Sequence, residues 1–288
     1  MPPTLACTVP ADCVVLPDAR SVVQLRLYTN ASPDAPHLFN TFDLVVQGTP
    51  LLQSPSGAAV VLALQTPSNS VWLHSVLVDG RGPDLAATNG ATVVEQAAGP
   101  EWRYVALDLS LAYRDRLHRF TRKILFVEPD LLVLCDQLTA GEPVSFQTLL
   151  HPPAATRVDA QWGDLRLEVP EGGFRINTPG KKNQPRFWSR IESPADALLP
   201  GTATMQLGPT NKVAALDVLS VFAVPPPGRK TSYAFKLLES NNAVGARIHR
   251  QGFPTLVAFK TDPAAAHASL TGFAFDGPVG VSVFRPRE

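Results

Sequence analysis

Apolar and polar positions alternate along most of this chain. Residues 21–28 (SVVQLRLY) set Val23, Leu25 and Leu27 on one face, and residues 41–47 (TFDLVVQ) do the same with Phe42, Leu44 and Val46. A period of two is the signature of a strand, because successive side chains leave a strand on opposite faces. The same reading holds at 71–78 (VWLHSVLV), which runs into the turn signal Asp79-Gly80, and at 102–109 (WRYVALDL). It continues at 145–150, 165–169, 217–224, 255–259, 269–275 and 280–284. Residues 123–127 (KILFV) and 131–135 (LLVLC) read as two strands joined by Glu128-Pro129-Asp130, a hairpin with a proline-fixed turn. Helical periodicity is almost absent. Short strands separated by turn signals predict an all-β sandwich or barrel.

Composition agrees with this pattern and narrows the function classes. The 28 prolines argue against long helices, since proline removes a helix donor and clashes with the preceding turn. Hydrophobic residues make up 45%, too many for a disordered chain. Lys plus Arg and Asp plus Glu are each 25, so the net charge is zero, and there is no basic block to neutralise phosphates. A nucleic-acid partner is therefore not expected. A long apolar stretch, residues 57–64 (GAAVVLAL), is far short of the roughly 20 needed to cross a bilayer, so no membrane partner is expected. The start, MPPTLACTVPADC, has neither a positive n-region nor an apolar h-region and does not read as a secretory signal. Residues 1–288 read as a single domain, with 1–15 as an irregular N-terminal segment.

Three cysteines are present. Cys135 in LLVLC reads as a buried small hydrophobe. Cys7 and Cys13 either pair in an oxidising compartment or stay free. No CxxC, Gly-x-Ser-x-Gly, HExxH or glycine-rich phosphate loop occurs.

Several segments carry a more specific pattern. Trp72-Leu-His74-Ser-Val-Leu-Val-Asp79-Gly80-Arg-Gly82 resembles the His-Asn-Thr-x-x-Val-Asp-Gly signature of the heparinase II/III family of polysaccharide lyases. Asp108-Leu-Ser-x-Ala-Tyr113 resembles that family's Asp-x-Ser-x-Ala-Tyr segment. Arg122, the apolar run to Pro129-Asp130, and Asp136 resemble its Arg-x-(apolar)-Pro-Asp-x-(apolar)-Asp hairpin, and His151 falls where a family histidine follows. Upstream, Pro36-His37-Leu-Phe-Asn40-Thr-Phe42 and Gly48-x-Pro50-Leu-Leu resemble the His-x-Asp-x-x-Ser-Phe and Gly-x-Pro-Leu-Leu elements. The likeness runs over residues 16–155, and beyond it the chain agrees only in being strand-rich.

The resemblance implies the C-terminal sandwich of such a lyase: a large antiparallel β-sandwich with little helix and no α/α toroid. In the family the toroid precedes the sandwich and the catalytic cleft lies between them. The implied reaction is β-elimination on an acidic, uronate-containing polysaccharide. It needs the carboxylate neutralised, a base for the C5 proton and an acid for the departing oxygen. The toroid supplies most of that set, so the chain alone is expected to be inactive. His37 stands where the sandwich histidine of the cleft falls, with Asn40 as a nearby polar contact. Some relatives hold zinc through a histidine, an aspartate and a second histidine. These positions carry over to His37, Ser54 and His74, so the carboxylate is missing unless Asp43 replaces it. Zinc usually takes four protein ligands in a structural site, so no certain cofactor is expected and His37 with His74 is the pair zinc would use. Such lyases are typically periplasmic or secreted.

Other candidates come from the residues themselves. Lys181, Lys182, Arg186 and Trp188 lie in the polar, basic segment 172–188, read as a long loop or a hairpin. Basic groups beside an aromatic suit an anionic glycan, because Arg forks match carboxylates and sulfates. Arg119, Arg122 and Lys123 read as a solvated strand face, Asp79 as a turn former, and Asp108 and Tyr113 as capping and packing residues. A free-standing carbohydrate-binding or structural sandwich remains the alternative to a lyase module.

Overall fold

The alternating segments fold as antiparallel strands. The structure, a computed structural model, describes residues 13–16, 23–28, 41–46, 49–52, 75–84, 91–151, 157–161, 164–169, 172–177, 187–192, 204–223, 233–250 and 253–284, with side chains placed in 75–84, 91–151, 206–222, 236–249 and 254–284. The first four strands, β1 (Cys13–Leu16), β2 (Val23–Tyr28), β3 (Thr41–Val46) and β4 (Thr49–Leu52), form a meander. The chain continues through β5 (Val76–Val78), β6 (Thr92–Gly99), β7 (Trp102–Asp108), β8 (Arg119–Val127), β9 (Leu131–Val144) and β10 (Phe146–Leu150). Next come β11 (Arg157–Gln161), β12 (Asp164–Val169), β13 (Gly172–Asn177), β14 (Phe187–Glu192), β15 (Thr204–Pro209) and β16 (Val213–Ala223). The last six are β17 (Tyr233–Glu239), β18 (Ala243–Arg250), β19 (Phe253–Lys260), β20 (Ala268–Leu270), β21 (Phe273–Phe275) and β22 (Val279–Val283).

An eight-stranded sheet, ordered β11-β12-β13-β16-β9-β8-β7-β6, is the middle layer. One of its faces packs on the sheet β14-β15-β10-β5. The core there joins Phe120, Ile124 and Phe126 of β8 and Leu132 and Leu134 of β9 to Val76, Phe146 and Leu207. The opposite face packs on the sheet β17-β18-β19-β22. Leu125, Val127, Val133 and Cys135 meet Val244, Ile248, Val257 and Phe259 there. A third cluster seats the β20–β21 hairpin on the outer side of that last sheet, through Leu256, Ala258, Leu270 and Phe275.

This layering explains why β8 and β9 read as continuous apolar runs. Even-numbered side chains of β8 enter one core and odd-numbered ones enter the other, so both halves of the period are apolar. The expected all-β antiparallel sandwich is therefore present, as stacked sheets. The hairpin after Val127 is also present, with Val127 opposite Leu131.

Four expectations need correction. β1 begins at Cys13, inside the segment read as irregular. Residues 172–177 are a strand of the middle sheet, although two glycines and an arginine disguise it, and β14 joins a different sheet, so 172–188 is neither one loop nor a hairpin. Residues 269–275 are not one strand but the two arms of the β20–β21 hairpin, which turns at Thr271 and Gly272, both with positive φ (47° and 84°). The fourth concerns the basic cluster of β8, described below. Asp79-Gly80 is a tight turn as expected, with φ of 47° and 76° and paired bonds between Val78 and Arg81.

Candidate functional site

The cluster read as a solvated face is buried. Arg122 and Lys123 are adjacent on a strand covered on both sides, so they enter opposite cores at 2% and 6% exposure. Arg122 forms a two-pronged pair with Asp136 on β9: Nε donates to Oδ1 at 2.7 Å and an Nη to Oδ2 at 2.8 Å. The guanidinium also lies over the Phe120 ring, 5.4 Å from its centre. Burial disfavours the Arg122 charge, but the Asp136 charge and its hydrogen bonds outweigh that and hold its pKa above the ordinary value. Tyr113 closes this side. Its hydroxyl donates to the Val76 carbonyl at 2.8 Å and accepts from the Val76 amide at 3.3 Å. Asp108 accepts from the Ser110 amide at 2.9 Å just ahead of the short 3-10 turn Ser110–Tyr113, but the N-cap of that turn is Leu109 with no side-chain cap bond, so Tyr113 packs as the sequence suggests while Asp108 is not its cap.

On the other face Lys123 donates to the Lys260 carbonyl. Burial lowers the pKa of the Lys123 ammonium below its usual 10.5. Cys135 opposes this, and Arg119 adds to it. With a lower pKa in the fold than in the open chain, the unfolded chain binds more protons between the two values, so stability rises with pH through that window. Tyr104 and Tyr113 act in the other direction. Burial raises their pKa above the usual 10.0, so above that pH the fold keeps protons that the open chain loses. Denaturant titrations should therefore show stability rising towards about pH 10 and falling beyond it. Lys123→Met should flatten the rise and leave the fall.

The Ser110–Tyr113 turn leads outward to a cavity of about 560 Å³. Val78, Leu117 and Val144 supply its apolar lining. Its position is fixed by backbone. Asp79 and Ser145 bond reciprocally, the Asp79 amide to the Ser145 carbonyl at 2.9 Å and the Ser145 amide to Asp79 Oδ1 at 3.0 Å. The Ser145 amide first, and the Lys212 ammonium at 3.0 Å second, hold the Asp79 carboxyl below the usual carboxylate range. An Nη of Arg116 donates to the Arg81 carbonyl at 2.7 Å while the guanidinium lies 5.4 Å from the centre of the Tyr113 ring. Asp79 and Arg116 are thus committed to the wall.

The other charged groups of the cavity are not committed in this way. Arg114 meets Asp84 only at 3.7 Å, with its side chain 62% exposed. Arg81, Asp115, His118 and Glu142 line the cavity, and among the described residues their side chains have no hydrogen-bond or ion-pair partner. His118 lies against Gly141, where a Cβ would come within 2.8 Å of its Nε2. Such a cavity offers cationic donors, carboxylate acceptors and an apolar wall together.

Sequence reasoning did not find this cavity. The signal was Arg114-Asp-Arg-Leu-His118 directly after the Asp-x-Ser-x-Ala-Tyr segment, with Arg81 directly after the Asp-Gly turn. The residues it did select lie elsewhere. His37, Asn40, Ser54, His74, Lys181, Lys182 and Arg186 fall outside the described residues. Asp43 sits on β3 opposite Arg26, and Trp188 on β14 opposite Gly208, in strands whose side chains are not described. Among the described residues no group of three or more His, Cys, Asp or Glu is placed to hold a metal. The carried-over positions His37, Ser54 and His74 hold no carboxylate among them and fall outside the described residues. Among the described residues no helix is long and apolar enough to cross a membrane. Cys135 is buried, as expected, and forms no disulfide.

The architecture is that of the large stacked β-sandwich found within heparinase III-type enzymes. Heparan sulfate lyase HepC from Pedobacter heparinus, solved as a mutant, superposes with a TM-score of 0.64 at 12% identity over 88% of this chain and 42% of that one. A crystal structure of heparinase III gives 0.61 at 12% over 83% and 39%, and a further heparinase III gene product gives 0.61 at 11% over 83% and 39%. The chain thus spans about two fifths of the length of these solved proteins, and the likeness establishes the fold. No protein-family model and no curated protein matches the sequence.

Proposed function

We propose that this chain is the β-sandwich module of a lyase that cleaves acidic, uronate-containing polysaccharide by β-elimination, and that it is inert without an α/α-toroid partner. The observation that carries this reading is the shared fold, 83–88% of the chain against about two fifths of the heparinase III-type structures. The motifs of the sequence, in the family's order, support it independently. Elimination requires cations to neutralise the uronate carboxylate before the C5 proton is removed. His37 is the group the sandwich would bring to the cleft, and Asn40, Lys181, Lys182, Arg186 and Trp188 would hold the glycan. Any attraction must come from local groups of this kind, because the chain as a whole is neutral.

The test is the ultraviolet absorbance of unsaturated uronate products. The chain mixed with heparan sulfate should give none, and the same chain with a toroid-containing polypeptide encoded beside it should give a steady increase that is lost with His37→Ala. Turnover by the chain alone, or no turnover with any toroid partner, would overturn the reading. The cavity favours a second reading, a sandwich that binds an acidic glycan without chemistry.

A further inference from the structure

We propose that the cavity beside Asp79-Gly80 is a subsite for one acidic sugar unit, with Arg81 and Arg114 gripping its carboxylate or sulfate and Asp115 and Glu142 accepting from its hydroxyls. The inference rests on the acidic-polysaccharide reading and adds a place on the chain that neither the motifs nor the fold likeness indicates.

Three features carry it. The first is the set of uncommitted groups. The exposed side chains of Arg81, His118, Asp115 and Glu142 meet no hydrogen-bond or ion-pair partner among the described residues, although opposite charges line the same cavity. Asp79, by contrast, is saturated by Ser145 and Lys212. The second is the chemistry of the mixture. An inorganic anion needs only cations, whereas a sugar acid presents an anion, several hydroxyl donors and an apolar C–H face. Guanidinium forks suit the anion, the two carboxylates suit the hydroxyls, and the half-buried Val144, backed by the buried Val78 and Leu117, suits the ring face. The third is size and rigidity. About 560 Å³ lies within the roughly 300–1,000 Å³ usual for small-molecule sites. The walls are held by the reciprocal Asp79–Ser145 bonds and by Arg116, which braces Arg81 through its carbonyl.

The balance of charge sets the kind of binding expected. Arg81, Arg114 and Arg116 face Asp79, Asp115 and Glu142, three against three, so the cavity as a whole exerts little long-range pull. Recognition then depends on placement, and moderate salt should weaken it only modestly.

Calorimetric titration of the full 288-residue chain tests this with four probes: an unsulfated uronate disaccharide, its sulfated counterpart, an uncharged disaccharide and inorganic sulfate. The two charged sugars should bind saturably, the uncharged one and inorganic sulfate at least tenfold more weakly, since a charge-assisted hydrogen bond contributes about 1.5–3 kcal/mol. Which charged sugar binds more tightly separates a carboxylate subsite from a sulfate subsite. Arg81→Ala should weaken the charged sugars about tenfold and Glu142→Gln severalfold. Arg247→Ala, at an exposed position of β18 away from the cavity, should change nothing, and matching melting curves would show that all variants fold. Equal binding of inorganic sulfate, or unchanged affinity in Arg81→Ala, would overturn the subsite while leaving the lyase reading intact. Failure of the chain to bind any charged sugar would overturn the subsite, and a parallel failure on whole polysaccharide would remove the lyase reading too.

Discussion

Asp136→Ala is expected to lower the free energy of unfolding by about 3–5 kcal/mol, the usual effect of leaving one partner of a buried ion pair uncompensated. The residue left behind is Arg122, buried in the middle of β8 on the face that packs on the sheet β14-β15-β10-β5. Its guanidinium still lies over the Phe120 ring, but it loses the carboxylate that balanced its charge. Removing both charges should behave very differently. Arg122→Met with Asp136→Leu restores an apolar pair of similar volume and should come within about 1–2 kcal/mol of the parent, or exceed it. Urea unfolding of the three proteins measures the contrast. If Asp136→Ala and the double variant lost the same amount, the cost would come from shape and not from the stranded charge. An exposed basic face on β8 would predict almost no effect from either.

Gly245→Ala is expected to cost about 3 kcal/mol, at the upper end of what overpacking usually costs. Gly245 lies in β18 opposite Ala258 of β19. A Cβ there would strike the Val257 carbonyl and the Ala258 Cα, which are backbone and cannot rotate away, and also Leu270 of the β20–β21 hairpin. The substitution therefore tests how closely β18 and β19 approach at Gly245. Thermal unfolding should show a lowered midpoint. An unchanged midpoint would mean that the two strands do not pack this closely there.

The two variants bear on how much of the molecule could be read in the sequence. Period-two alternation located β2, β3, β7, β10, β12, β16, β19 and β22 because successive side chains leave a strand on opposite faces. It located β8 and β9 less directly, because both of their faces are buried and the alternation disappears. That same loss of contrast misplaced Arg122 and Lys123. A charged pair of neighbours on a strand ordinarily implies at least one wet face, and nothing within 119–127 records that a second sheet covers each side. The Arg-x-(apolar)-Asp spacing was noticed as a motif, yet the pairing of Arg122 with Asp136 follows from their register across the hairpin. The β20–β21 hairpin was hidden by Thr271, a β-branched residue that rarely takes the positive φ such a turn needs. The cavity was least legible. Arg81, Arg114 to His118 and Glu142 come from three separated segments, and their meeting depends on the Asp79–Ser145 bonds and the bracing by Arg116, which are tertiary contacts.

The central claim is that the chain serves the breakdown of acidic polysaccharide, and its most direct test is a binding isotherm on matched ligands. Heparan sulfate oligosaccharide and the same material with its uronate carboxyls chemically reduced to alcohols differ in the group that elimination requires. The account predicts saturable binding of the chain to the first and an affinity at least tenfold lower for the second, consistent with the loss of a charge-assisted contact. Equal affinity for the two, or no binding to either, would contradict it.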